Sequence, residues 1–155
     1  MASNFILRGD ARDWFRKIPV QSKAPVFEAY YFCAIAGLTF RVKSEVPQGA
    51  QPFLAHLHFP DEFTGHGSLL VGLLLSSEMS IAGIDPADRK GVHLIVSKVV
   101  APEGQTGLSD YGVGLLNEYA SGGFGEILTR MGDGASSYPT FMKEYRDMLN
   151  LSQSR

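Results

Sequence analysis

The sequence predicts an all-α chain: a single compact bundle of about six helices over residues 1–150, followed by a polar tail at 151–155. Three observations lead there. Apolar residues recur at helical spacing in segment after segment. Prolines and glycines punctuate those segments where helices start and stop. With 155 residues, 45% of them hydrophobic and 19% charged, the composition is that of one ordinary globular domain.

Each element has its own reason. Asp10 to Ile18 reads as a short amphipathic helix in which Trp14, Phe15 and Ile18 dock and Asp13 pairs with Lys17 at i, i+4, with Pro19 helping to stop it. Pro25 suits a first helical turn, and Phe27, Tyr30, Tyr31, Ala34, Ile35 and Leu38 then line one broad face, with Gly37 near the expected end. Residues 44–60 hold three prolines and one glycine, which predicts a long loop with one short extended piece.

Ser68 to Ile81 follows, so rich in leucine between Leu69 and Leu75 that it predicts a central, enclosed helix and the heart of the core. Asp85 and Pro86 form a start signal for a helix carrying Val92, Ile95, Val96, Val99 and Val100. A strand over 91–100 competes with that helix, but the consecutive Leu94, Ile95 and Val96 break strand alternation. Residues 101–108 form a second long loop. Ser109 caps the next helix, which Gly122 and Gly123 are expected to break or kink, while Gly112 and Gly114 allow close helix approach. A last helix opens near Ser137 and Pro139 and carries Phe141, Met142, Tyr145, Met148 and Leu149.

The net charge is −2, so the chain lacks the basic total of a dedicated nucleic-acid binder. The distribution is uneven. Residues 1–43 hold seven basic and three acidic groups, whereas 44–129 hold three basic and ten acidic. The single cysteine, Cys33, excludes an internal disulfide framework. The opening MASNFILRGDARDW meets its first charge at Arg8, unlike a secretory signal, and no apolar run approaches the ~20 residues of a membrane span. Cytoplasm is the expected compartment, and no membrane partner is expected.

Catalytic signatures are weak. His56, His58 and His66, with Asp61 and Glu62 nearby, are the one cluster that resembles a metal site, yet no HExxH accompanies them. Neither the glycines at 65–67 nor those at 122–125 have the lysine of a phosphate loop. A GxSxG nucleophile elbow is missing around Ser68. Cys33 lies in an apolar helix, where burial would keep the thiol inert. No cofactor is expected. The N-terminal third offers a surface instead. Arg12 and Arg16 share one side of the first helix near Trp14 and Lys17, and Arg8, Lys23, Arg41 and Lys43 extend the patch toward a protein partner or DNA phosphates. Trp14, Tyr30, Tyr31 and Phe53 are of the type that anchors interfaces.

Two stretches together, Phe27-Glu28-Ala29-Tyr30-Tyr31-Phe32-Cys33-Ala34-Ile35-Ala36-Gly37-Leu38 and Leu116-Asn117-Glu118-Tyr119-Ala120-Ser121-Gly122-Gly123-Phe124-Gly125-Glu126-Ile127-Leu128, are similar to small helical accessory proteins of bacterial DNA phosphorothioation and related antiphage systems. The resemblance covers about 25 of the 155 residues and touches no catalytic motif. It implies a non-enzymatic subunit of a multi-protein defence assembly, with other protein subunits as partners and DNA or a second copy of the chain as further ones. Two alternatives stand beside it: a direct DNA-binding module using the basic patch, and a metal-dependent hydrolase using His56, His58 and His66.

Overall fold

The centre of the fold is a crossing of two helices, α2 (Pro25–Phe40) and α5 (Asp110–Met131), whose backbones touch. A computed structural model describes residues 4–18, 25–55, 59–102 and 106–151. Small residues make the crossing possible. A Cβ placed on Gly37 would overlap the Tyr119 carbonyl, and one placed on Gly123 would overlap the Cys33 carbonyl. Both helices are buried on more than one side, with Tyr30, Cys33, Ala34 and Ala36 of α2 meeting Leu116, Tyr119, Ala120 and Phe124 of α5 in the same core.

An expectation about glycine is corrected here: helix α5 runs unbroken through Gly122 and Gly123. Helix α2 ends at Phe40, three residues past Gly37 and so near it as expected. Each internal glycine costs about 1 kcal/mol of helix propensity, and close packing offsets that cost. Gly122 lets the Val42 carbonyl approach and Gly112 does the same for Val99, while Gly114 borders open space and serves no such contact. Just past the end of α2, Arg41 takes a left-handed φ of 56° while Val42 N–H returns to the Gly37 carbonyl at 2.9 Å.

Around this crossing, α1 (Gly9–Arg16) and α6 (Tyr138–Leu151) pack through aromatic rings. Phe15 stacks on Phe32, and Phe141 lies edge-on to both Trp14 and Phe32. Tyr145 Oη donates to the Phe32 carbonyl at 2.6 Å. Ser137 accepts from Thr140 N–H at the start of α6, as the sequence predicts. In α1, Asp13 pairs with Arg16 at 3.4 Å and not with Lys17, because the salt bridge closes at i, i+3.

The leucine-rich helix is displaced from the place predicted for it. Helix α3 (Gly67–Ala82) follows a 3₁₀ turn (Asp61–His66) and buries only Gly67, Leu70, Leu74 and Ser77. Leu69 is 49% exposed and Ile81 51%. A stripe of large side chains cannot reach the backbone contact that Gly37 and Gly123 permit, so the centre goes to the helices with small residues. Helix α4 (Arg89–Val99) confirms a helix over 91–100 rather than a strand, and its one buried residue is Val99. Its cap is Asp88, which accepts from Gly91 N–H at 3.2 Å, rather than Asp85. Asp85 accepts from Ala87 N–H at 2.9 Å and so closes a turn one step earlier.

Two short strands complete the fold. β1 (Asn4–Leu7), an element the helical pattern does not include, pairs antiparallel with β2 (Gln51–Ala55), the extended piece expected within 44–60. The register shifts between Phe5 and Ile6, from Phe5↔Leu54 to Ile6↔Pro52. Phe5 is fully buried against Phe27, Tyr30 and Phe59. In the second long loop, Val100 and Leu108 form an isolated bridge; residues 103–105 and the tail after Leu151 lie outside the described residues.

Candidate functional site

Three of the seven basic residues singled out in the N-terminal third pair with carboxylates within the chain. Arg8 meets Asp10 at 2.7 Å, donates to the Ser121 carbonyl at 3.3 Å and lies 5.3 Å above the Phe124 ring. Arg16 pairs with Asp13, and Lys43 Nζ lies 3.0 Å from Glu78 Oε2. Lys17 and Arg41 are exposed. Lys23 lies outside the described residues. Of the two places the sequence offers Trp14, docked in the core or at a contact surface, the structure has the first: it is buried, and its indole N–H donates to the Gly132 carbonyl at 2.9 Å. Tyr30 is likewise fully buried, and Phe53 and Tyr31 pack against the core.

Arg12 is different. Its Nη2 donates to the Gln51 carbonyl at 3.1 Å and its guanidinium lies 5.9 Å from the Phe53 ring centre. Its Nε is buried without an acceptor, and no carboxylate among the described residues pairs with it.

The structure describes only one member of the histidine cluster. His56 and His58 lie outside the described residues, and His66 is occupied, with Nδ1 2.9 Å from Tyr31 Oη and its ring edge-on to Tyr31 and Phe63. Burial pushes the Tyr31 hydroxyl above its ordinary pKa. Among the described residues no group of three His, Cys, Asp or Glu side chains could hold a metal. Cys33 is fully buried, and burial pushes its thiol far up, as its apolar helix led one to expect.

Three polar groups that sequence reasoning missed lie inside. Asn117 Oδ1 accepts from Ile6 N–H at 3.1 Å and from Tyr30 Oη at 2.8 Å, while its Nδ2 donates to the Asn4 carbonyl at 3.0 Å. Ser77 donates to Tyr119 Oη at 2.9 Å, and Tyr119 donates to Glu78 Oε2 at 2.5 Å, joining the Lys43 ion pair. Ser77 is buried and its hydroxyl is committed to Tyr119, so the chain of hydroxyls braces α3 against α5. Glu28, also buried, accepts from Tyr138 Oη at 2.8 Å. The signal for all three was a polar residue at an apolar helical phase, such as Asn117 directly after Leu115 and Leu116.

Two surfaces are left without internal partners. On the α3–α4 hairpin Leu69, Ile81 and Leu94 are exposed, the last by 59%. Between α1 and α2 lies a cavity of about 340 Å³, walled by Leu7, Phe15, Ile18 and Phe32 and by the charged Arg12 and Glu28. No helix is long and apolar enough to cross a membrane among the described residues. Comparison with protein-family profiles, with characterised proteins and with solved structures finds no match.

Proposed function

We propose that this chain is a non-enzymatic interaction subunit of a multi-protein assembly, with another protein subunit as its partner. The observation that carries the reading is the α3–α4 hairpin. Helix α4 exposes Leu94 and leaves Val92 and Val96 half-buried, while Val99 is buried and Ile95 packs against the core, and α3 leaves Leu69 and Ile81 in solvent. Leu69, Ile81 and Leu94 are three of the seven large apolar side chains exposed among the described residues, and exposed apolar side chains favour association over solvation. The interior polar groups, by contrast, are tied to one another: Glu78 to Lys43 and Tyr119, and Asn117 to β1. The assembly we favour is a bacterial antiphage or DNA-modification-linked one, on the strength of the resemblance of the 27–38 and 116–128 segments alone.

The test is isolation of the protein at its native level from its own host. Co-purification of a stoichiometric protein partner, lost in Leu94→Glu but kept in a control such as Lys143→Glu on α6, supports the reading. A lone monomer overturns it. Direct DNA binding through Arg12, Arg16 and their neighbours is the alternative, and the pairing of Arg8, Arg16 and Lys43 with carboxylates takes support from it. Salt-sensitive binding to duplex DNA, weakened by Arg12→Ala and Arg16→Ala, would restore it.

A further inference from the structure

We infer that the cavity between α1 and α2 is a binding site for a small zwitterion with an apolar body, of the amino-acid class. At about 340 Å³ it sits at the small end of the range for ligand sites, roughly 300–1,000 Å³. Among the described residues its walls are apolar apart from charged groups of opposite sign. Glu28, on α2, is 8% exposed; Tyr138 Oη donates to Oε1, and no cation among the described residues pairs with it. Arg12, on α1, meets no carboxylate, and its Nε lacks an acceptor. Arg16 also borders the cavity, but its guanidinium is already paired with Asp13.

A buried charge without a counter-charge is costly; here the buried Glu28 carboxylate and the half-buried Arg12 guanidinium border one apolar space, and no ion pair joins them. A purely anionic ligand would satisfy Arg12 and be repelled by Glu28. A purely cationic one would do the reverse. A ligand bearing both charges satisfies both, with its carboxylate at Arg12, its ammonium at Glu28 and its apolar side chain against Phe15 and Phe32.

Calorimetric titration of the full chain with L-phenylalanine, L-leucine, 3-phenylpropanoate and 2-phenylethylamine tests this. The two amino acids should bind saturably, and each singly charged analogue should bind at least about tenfold more weakly, as loss of one charge-assisted hydrogen bond implies. Glu28→Gln keeps an acceptor for Tyr138 and should weaken the amino acids and 2-phenylethylamine by a similar factor while sparing 3-phenylpropanoate. Arg12→Gln should show the converse pattern, and keeps the assignment testable if Glu28→Gln fails to fold. Analogues that bind as well as the amino acids, or amino acids that do not bind at millimolar concentration, overturn the inference.

Discussion

Gly37 and Gly123 meet across the α2–α5 crossing so closely that a Cβ on Gly37 would lie 3.2 Å from the Gly123 nitrogen and overlap the Tyr119 carbonyl. Backbone cannot swing aside as a flexible side chain can, so alanine at either position forces the two helices apart. Gly37→Ala and Gly123→Ala should each destabilise the fold by about 3 kcal/mol or more. Gly114 and Gly125 lie in the same helix with nothing near a Cβ. Alanine there should stabilise by about 0.5–1 kcal/mol. Denaturant unfolding of the four variants checks both signs.

Leu69 and Leu70 are neighbours in sequence and opposites in environment, 49% and 1% exposed. Leu70→Ala and Leu74→Ala should cost about 2–4 kcal/mol each. Leu69→Ala should cost less than about 1 kcal/mol. Equal costs at 69 and 70 would return α3 to the enclosed position that its composition suggests.

Asn117 ties the first strand to the central helix through Ile6 N–H and the Asn4 carbonyl and also serves Tyr30. Asn117→Ala leaves the buried Tyr30 hydroxyl and two part-buried backbone groups unmet and should cost about 1–3 kcal/mol. Amide exchange at Ile6 should accelerate more than exchange in α6, which has no contact with Asn117.

The Tyr138 hydroxyl is pushed from 10.0 up to about 12, first by burial and then by the Glu28 carboxylate it donates to. Burial moves Tyr30 and Tyr145 in the same direction. Raised values mean that the unfolded chain releases these protons first as pH rises. The stabilising contribution is therefore complete below pH 10 and is lost between pH 10 and 12 for Tyr138. Thermal melts across that window should show a falling midpoint, and Tyr138→Phe should flatten the fall.

Cys33 is fully buried with a thiol held protonated. The native protein should resist iodoacetamide at pH 8, and the denatured chain should react at once. Mass spectrometry of the two reactions reads the difference directly.

Helical periodicity was a sound guide wherever one face of a helix is buried. The apolar positions at 14, 15 and 18 dock as spaced, and Phe141, Tyr145 and Met148 of α6 are buried as their spacing implies. Periodicity failed where packing depends on the absence of side chains. Gly122 and Gly123 carry the same symbol whether they break a helix or admit a carbonyl against it, and only the partner backbone decides. The leucine run misled for a related reason: composition reports how much apolar surface a helix carries, not how much its neighbours cover. The candidate contact residues separated on the same ground. Trp14 and Tyr30 satisfy their polar atoms inside the protein, whereas the lack of an ionic partner for Arg12 and Glu28 among the described residues depends on contacts between elements that no spacing encodes.

The Asn117 clasp also orders events in time. Ile6 is bonded to a residue 111 positions away, and Tyr145 reaches the Phe32 carbonyl across 113. A chain emerging from the ribosome therefore presents α1 and α2, with their aromatic rings, well before the helices that cover them exist. During that interval the nascent chain exposes Trp14, Phe15, Tyr30 and Phe32 together, a surface suited to chaperone capture. These contacts wait on α5 and α6, so the native core is not complete until those helices are available.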